Sequence, residues 1–257
     1  MRTEWAKPAR IPHLPEGGLH LWCVELTAGT TPRLIAEAER LLNSGERARA
    51  AQIRSVAARQ EFVVGRGLLR RLVGHATGMD PASVAFEPGP NGKPQLRELA
   101  GIKSGIDFNV SHSGGMVLIA ISRAGAVGVD VEFIDPAFAA PDELLEMARD
   151  SFYSEEFRRI EQAGTERERL LQFYRAWTRK EAVAKADGRG IASSVDYISS
   201  PAEADGESRV SLAGVEASRR MDYFVQTPDA GLNHLAAVAT LRSGQPISLL
   251  DAAALPG

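Results

Sequence analysis

In the run Val127-Gly128-Val129-Asp130-Val131-Glu132 the valines take alternate positions. An extended chain therefore sets Asp130 and Glu132 together on the other face, roughly 6 to 7 Å apart. Two hard oxygen donors at that spacing can share one Mg²⁺ and leave its remaining positions to water and phosphate oxygens. A third acid comes from ERERLLQFYRAWTRKEAVAKA, where Leu170, Phe173, Tyr174, Trp177 and Ala184 form the stripe of a helix packed along one side and Glu181 falls on its continuation. A carboxylate buried there must shift its pKa, find a partner or hold a metal. Lys185, one turn further on, would put a cation beside an anionic substrate. Taken separately, each feature has a plainer reading: a half-exposed antiparallel strand also alternates valine with acid, and Glu181 with Lys185 is also an ordinary surface pair.

Two loops have the chemistry to meet anions. Phe108-Asn109-Val110-Ser111-His112-Ser113-Gly114-Gly115 leaves a strand into hydroxyls, an imidazole and small residues, a plausible anion site and equally a polar turn. Gly89-Pro90-Asn91-Gly92-Lys93-Pro94 is first a hairpin turn, from which Lys93 can project toward a phosphate. Upstream, Arg47, Arg49, Arg54, Arg59 and Arg66 give a basic helical surface, either solvated or a phosphate wall. Neither a Walker A nor a Rossmann glycine pattern is present, and no G-x-S-x-G elbow surrounds Ser111.

The elements that must position these residues follow from periodicity and turn signals. LHLWCVEL reads as a strand, and Pro32 to Gly78 as helices interrupted around Asn43-Ser44-Gly45, with Ser44 as an N-cap. SVAFEP, IDFNV, MVLIAIS and VGVDVE then read as strands, Pro141 to about Ala186 as helix, and RVSL, MDYFVQ and HLAAVATL as strands again. Helix followed by strands thus occurs twice, which predicts an α+β chain of two similarly built subdomains, 1–125 and 126–257.

Composition sets the outer bounds. The 257 residues are 44% hydrophobic and 25% charged, with 30 basic against 33 acidic side chains and a net charge of -3. These values exclude a disulfide-stapled miniature, a disordered chain and a nucleic-acid-coating protein. Only five of the basic residues are lysines, and Lys93, Lys180 and Lys185 lie in the stretches above. The single cysteine, Cys23, suits a reducing compartment. The first twenty residues, broken by charges and three prolines, carry no secretory signal, and no run reaches membrane-span length. The expectation is a monomeric cytoplasmic protein with no nucleic-acid or membrane partner.

The order NGKP, FNVSHSGG, VGVDVE, FYRAWTRKEAVAKADGRGI resembles the Sfp-type 4′-phosphopantetheinyl transferases, from about Arg47 to Ile191. That resemblance implies two pseudo-symmetric α+β halves with coenzyme A and Mg²⁺ in the cleft between them, and transfer of the 4′-phosphopantetheine arm onto a serine of a carrier protein. It further implies Asp130, Glu132 and Glu181 as metal carboxylates, Lys185 on the pyrophosphate, and Lys93, Ser111, His112 and the Arg47/Arg49 surface toward the coenzyme A phosphates. Glu61 stands where a basic residue for the 3′-phosphate is expected, so that either Arg59 or Arg66 substitutes or the contact is weaker here. Two other classes use the same residues: a different Mg²⁺-dependent nucleotidyl or phosphoryl transferase, and a non-catalytic module that binds coenzyme A or a carrier protein.

Overall fold

The structure, a computed structural model, describes residues 4–89, 93–97, 105–188, 197–199, 207–213 and 220–255. A first strand, β1 (Leu19–Glu25), leads into three helices, α1 (Thr31–Leu41), α2 (Ser44–Gln52) and α3 (Val56–Thr77). The cap of α2 is Asn43 rather than Ser44. Its side chain accepts the Glu46 N–H at 2.9 Å while the Glu46 carboxylate accepts the Asn43 N–H at 3.0 Å, satisfying two otherwise orphaned donors reciprocally. The α3 helix closes on Gly78 in the left-handed region, φ 73°.

Five strands follow: β2 (Phe86–Pro88), β3 (Pro94–Leu96), β4 (Asp107–Ser113), β5 (Met116–Ser122) and β6 (Val127–Phe133). Then come α4 (Pro141–Ser151), α5 (Ser154–Glu161) and α6 (Glu166–Asp187). The chain finishes with β7 (Tyr197–Ser199), β8 (Ser208–Ala213), β9 (Arg220–Gln226), β10 (His234–Thr240) and β11 (Ser248–Asp251). The α+β expectation holds, with helix followed by strands occurring twice.

The first of two larger sheets has the order β11-β1-β5-β4 and the second β6-β10-β9-β8-β7, while β2 and β3 pair as a separate two-stranded ribbon. The last strand, β11, runs parallel to β1 and so completes the first sheet, a long-range pairing that local periodicity around residues 248–251 does not signal. Alternation sorts the first sheet's side chains into two cores. Trp22, Val24, Val117, Ile119 and Ile121 pack with Leu69, Leu72 and Val73 of α3. Leu19, Leu21, Leu118 and Ala120 pack against Val127, Val129 and Val131 of β6. On the far side of the second sheet, Ala182, Val183 and Ala186 of α6 meet Val225, Ala237 and Ala239. The layers are therefore helix, sheet, sheet, helix. Among the described residues no helix is long and apolar enough to cross a membrane.

Candidate active site

Both faces of β6 are covered, the valines by the first sheet and the Gly128/Asp130 face by α6, so the half-exposed strand is not what this segment forms. Contact with α6 depends on Gly128. A Cβ built there would lie 2.0 Å from the Ala182 carbonyl oxygen and 2.4 Å from the Ala186 nitrogen. Glycine on the strand and alanines on the helix thus bring two backbones close enough for side chains of α6 to reach Asp130.

The buried stripe of α6 is Phe173, Tyr174, Thr178, Ala182, Val183 and Ala186. Glu181 and Lys185 sit half-buried along its edge, so Glu181 is beside the apolar stripe rather than within it. Lys185 crosses to the strand, its Nζ 2.6 Å from Asp130 Oδ1 and 3.1 Å from Ser111 Oγ. Asp130 is 2% exposed, and its second oxygen, Oδ2, is buried with no hydrogen-bond partner.

Next to β6 lies β4, and the two edges are joined by side chains instead of a backbone ladder. Asp107 accepts the Val127 N–H at 2.8 Å, Asn109 that of Val129 at 2.9 Å, Ser111 that of Val131 at 3.3 Å and Ser113 that of Phe133 at 3.1 Å. The two serines also donate, Ser111 to Asp130 at 2.9 Å and Ser113 to Glu132 at 3.0 Å. Each hydroxyl therefore fixes the strand and aims one carboxylate. Ser113 and Asn109 were not singled out by sequence reasoning; the signal that finds them is the period of two shared by residues 107 to 113 and 127 to 133.

Burial pushes all three acids above the usual carboxylate range. For Asp130 burial outweighs Lys185 and the Ser111 hydrogen bond. For Glu132 burial is reinforced by Asp130 and opposed by Ser113 and Trp177. Glu181 feels burial first, then the opposing Lys185, then repulsion from Asp130 and Glu132. Three acids that destabilise one another's charge, one with an idle buried oxygen, form a hard-oxygen donor set suited to a divalent cation. Among the described residues no three such side chains stand already at ligating distance. Beside Glu132 opens a cavity of about 390 Å³, lined by Phe133, Phe138, Phe173, Tyr174 and Trp177.

The remaining expected residues are placed less uniformly. The SHSGG segment is a tight hairpin, with Gly114 and Gly115 at φ 57° and 85°, the two-residue turn that requires positive φ at both positions. His112 on β4 is partly exposed. Ser111 is buried and engaged with Asp130 and Lys185, so its hydroxyl is spent inside the site. Lys93 does not project freely: its Nζ bonds Asp107 at 2.7 Å and the Val127 carbonyl at 3.1 Å, stapling β3 to the start of β6. Pro90, Asn91 and Gly92 of that hairpin, and Arg189 to Ile191 after α6, lie outside the described residues. Arg47, Arg49 and Arg54 are exposed on and just after α2, and Arg59 is half-buried on α3. Arg66 is tucked against Phe86 and lies 3.7 Å from Glu46, whose other oxygen binds the fully buried Arg70. Glu61, expected as a lost basic contact, instead binds His112 Nδ1 at 3.0 Å and the Gly115 N–H at 2.7 Å.

Two sheets meet at a seam, with three acids and a lysine gathered on one side of it, an arrangement of charge suited to an anionic substrate and a cation. Comparison with known proteins gives the family. The model of the 4′-phosphopantetheinyl transferase superfamily matches residues 126–239, and that of the 4′-phosphopantetheinyl transferase N-terminal region matches residues 30–124. The 4′-phosphopantetheinyl transferase HetI of Nostoc sp. is 33% identical over 174 residues, 68% of this chain and 70% of that one. A phosphopantetheinyl transferase of Thraustochytrium sp. is 29% identical over 234 residues, 88% of this chain and 79% of its own. The Bacillus subtilis transferase Sfp is 27% identical over 150 residues, 58% and 62% of the two chains. The chain belongs to the 4′-phosphopantetheinyl transferase superfamily and is an enzyme of that class. The family takes coenzyme A as substrate and acts on carrier proteins.

Proposed function

We propose that this chain transfers the 4′-phosphopantetheine arm of coenzyme A to a serine hydroxyl of an acyl or peptidyl carrier protein, with Mg²⁺, releasing adenosine 3′,5′-bisphosphate, as a monomeric cytoplasmic enzyme. The observation that carries this reading is the convergence of Asp130, Glu132, Glu181 and Lys185 where β4, β6 and α6 meet, with Asp130 Oδ2 buried and idle. Asp130, Glu132 and Glu181 would hold the metal. When bound, Mg²⁺ supplies positive charge against the pyrophosphate, the largest contribution in transfers of this type.

The chain's own groups do the rest. The serine Oγ forms its bond to the phosphorus bearing the pantetheine as the bond from that phosphorus to the bridging oxygen breaks. Glu181, held above the ordinary carboxylate range by burial, takes the serine proton, directly or through a bound water. Lys185 neutralises the charge gained by the leaving phosphate, and Ser111 acts on it through Lys185. The aromatic cavity beside Glu132 gives the arm an apolar wall. The nucleotide lies over the first half, residues 1–125, where His112 and the Arg47/Arg49 surface meet the 3′-phosphate and Arg66 and Lys93 add positive charge from inside the fold. The reacting end lies over the second half, residues 126–257.

Mass spectrometry of a carrier protein incubated with coenzyme A and Mg²⁺ tests this. The expected result is a pantetheine arm on one serine, lost with Asp130→Ala, Glu132→Ala or Glu181→Ala while each variant stays folded. An unchanged carrier mass refutes it, and normal rates in Asp130→Ala and Glu181→Ala across a Mg²⁺ titration refute the site.

A further inference from the structure

On α3, Glu61 is 6% exposed, yet both its oxygens are engaged: Oε1 accepts the Gly115 N–H at 2.7 Å and Oε2 lies 3.0 Å from His112 Nδ1. It therefore ties α3 both to the β4–β5 turn and to the last residues of β4. Burial alone would raise this carboxyl, but the hydrogen bonds from His112 and Gly115 outweigh it and hold Glu61 below its ordinary value, as an anion. An ionised carboxylate can only accept, so the hydrogen in the Glu61–His112 contact belongs to Nδ1. That leaves Nε2 for a ligand, and the side chain is 39% exposed to meet one.

The consequence depends on the ring's charge. With Nδ1 donating to Glu61, a neutral imidazole has only a lone pair at Nε2, which repels a phosphate oxygen. Only the imidazolium presents an N–H there. We propose that Glu61 is a positioning residue: it fixes His112 so that the ring can meet an anion only as a cation, and in this way makes recognition of a phosphate depend on a full charge rather than on a neutral donor. Resting on the reading given above, the phosphate is the 3′-phosphate of coenzyme A. The acid that interrupts the basic helical surface is then a second partner of the phosphate site, acting through the histidine.

Glu61→Gln tests this with little change of shape, because the amide oxygen can still accept from Gly115 while its NH₂ faces Nδ1 and drives the ring hydrogen to Nε2. In nitrogen-15 spectra of the full chain, the wild-type His112 ring should carry its hydrogen on Nδ1, or on both nitrogens when charged. The variant should carry it on Nε2 alone. Affinities for coenzyme A and dephospho-coenzyme A, measured by calorimetry, give the second readout. Exchanging a charge-assisted hydrogen bond for a neutral one should cut the preference for coenzyme A about tenfold, and Glu61→Gln added to His112→Ala should change it less than about twofold. A wild-type ring with its hydrogen on Nε2 alone overturns the inference whether or not the variant folds. So do losses from Glu61→Gln and His112→Ala that simply add, since a scaffold tie behaves that way. Full discrimination in His112→Ala removes the 3′-phosphate from His112, and this inference goes with it whatever the nitrogen signals show.

Discussion

Replacing Gly128 by alanine places one methyl group where two backbones already touch. The new Cβ would stand 2.0 Å from the Ala182 carbonyl oxygen and 2.4 Å from the Ala186 nitrogen, whereas real Cβ contacts do not fall below 3.0 Å. Neither neighbour is a side-chain tip that can swing aside, so α6 must retreat from β6 by about 1 Å along the contact. Overpacking of this kind costs about 1 to 3 kcal/mol, which for a chain of this size lowers the melting temperature by roughly 2 to 12 °C. The larger effect falls on chemistry. Glu181 and Lys185 move with the helix while Asp130 stays on the strand, and the 2.6 Å Lys185–Asp130 contact opens. A misplacement of about 1 Å between catalytic groups is worth roughly 100-fold in rate. The assay compares carrier modification below the melting transition in Gly128→Ala and in Val225→Ala, a fully buried truncation behind α6 that removes methyl groups without displacing backbone. The first should lose rate far beyond its loss of stability, and the second should lose stability alone. Equal rates in the two variants, or an unchanged melting temperature in Gly128→Ala, would refute the account of how α6 is seated.

Three further outcomes follow from the geometry. Asp130, Glu132 and Glu181 each bind a proton more tightly folded than unfolded; their stabilising effect is complete below the ordinary carboxylate value of about 4 and drains away as pH rises through the raised values. Calorimetry in chelator should therefore show a melting temperature that falls over that interval, with Mg²⁺ or Asp130→Asn flattening the slope; a slope unaffected by either contradicts the assignment. Burial pushes the Cys23 thiol up to about 12, so at pH 8 only about one molecule in 10⁴ carries the thiolate, against roughly one in ten to one in four for a free thiol, and alkylation of the native protein should be slower than that of a free thiol by about 10³; rapid labelling would show the strand to be open there. Arg158 and Arg159 are exposed on α5, with Arg159 paired to Glu155 at 2.9 Å. Their joint reversal to glutamate should raise the KM for an acidic carrier at low salt and weaken its dependence on ionic strength, while the KM for coenzyme A stays the same; an unchanged carrier KM places docking elsewhere.

Much of the site was readable because its spacing is local. Asp130 and Glu132 two apart on a strand, and Glu181 with Lys185 one turn apart on a helix, are consequences of backbone period alone. What joins them is not local. Nothing within residues 89–94 indicates that Lys93 will turn inward to Asp107 and the Val127 carbonyl, because that depends on β6 arriving beside β4 from more than thirty residues away. Glu61 illustrates the same limit: taken as one position in a basic helix it is an anomaly, and only the approach of the β4–β5 turn to α3 gives its two oxygens their partners. The strand β11 escaped notice because its pairing partner, β1, lies at the other end of the chain.

The seam between β4 and β6 has a bearing on solubility as well as on chemistry. Each of these strands is the terminal strand of its own sheet, and a sheet's last strand offers unpaired N–H groups to any foreign strand that drifts by. Here Asp107, Asn109, Ser111 and Ser113 cap the outward N–H groups of Val127, Val129, Val131 and Phe133 one for one. Two edges prone to aggregation are thereby turned toward each other and closed, yet they never merge into one continuous sheet. A slip of one residue would set Phe108, Val110 and His112 against those donors, of which the first two have nothing to accept with. These four side chains, two of which also aim the carboxylates, thus act as gatekeepers against misassembly, and a substitution that removes an acceptor should be read for aggregation as well as for lost turnover.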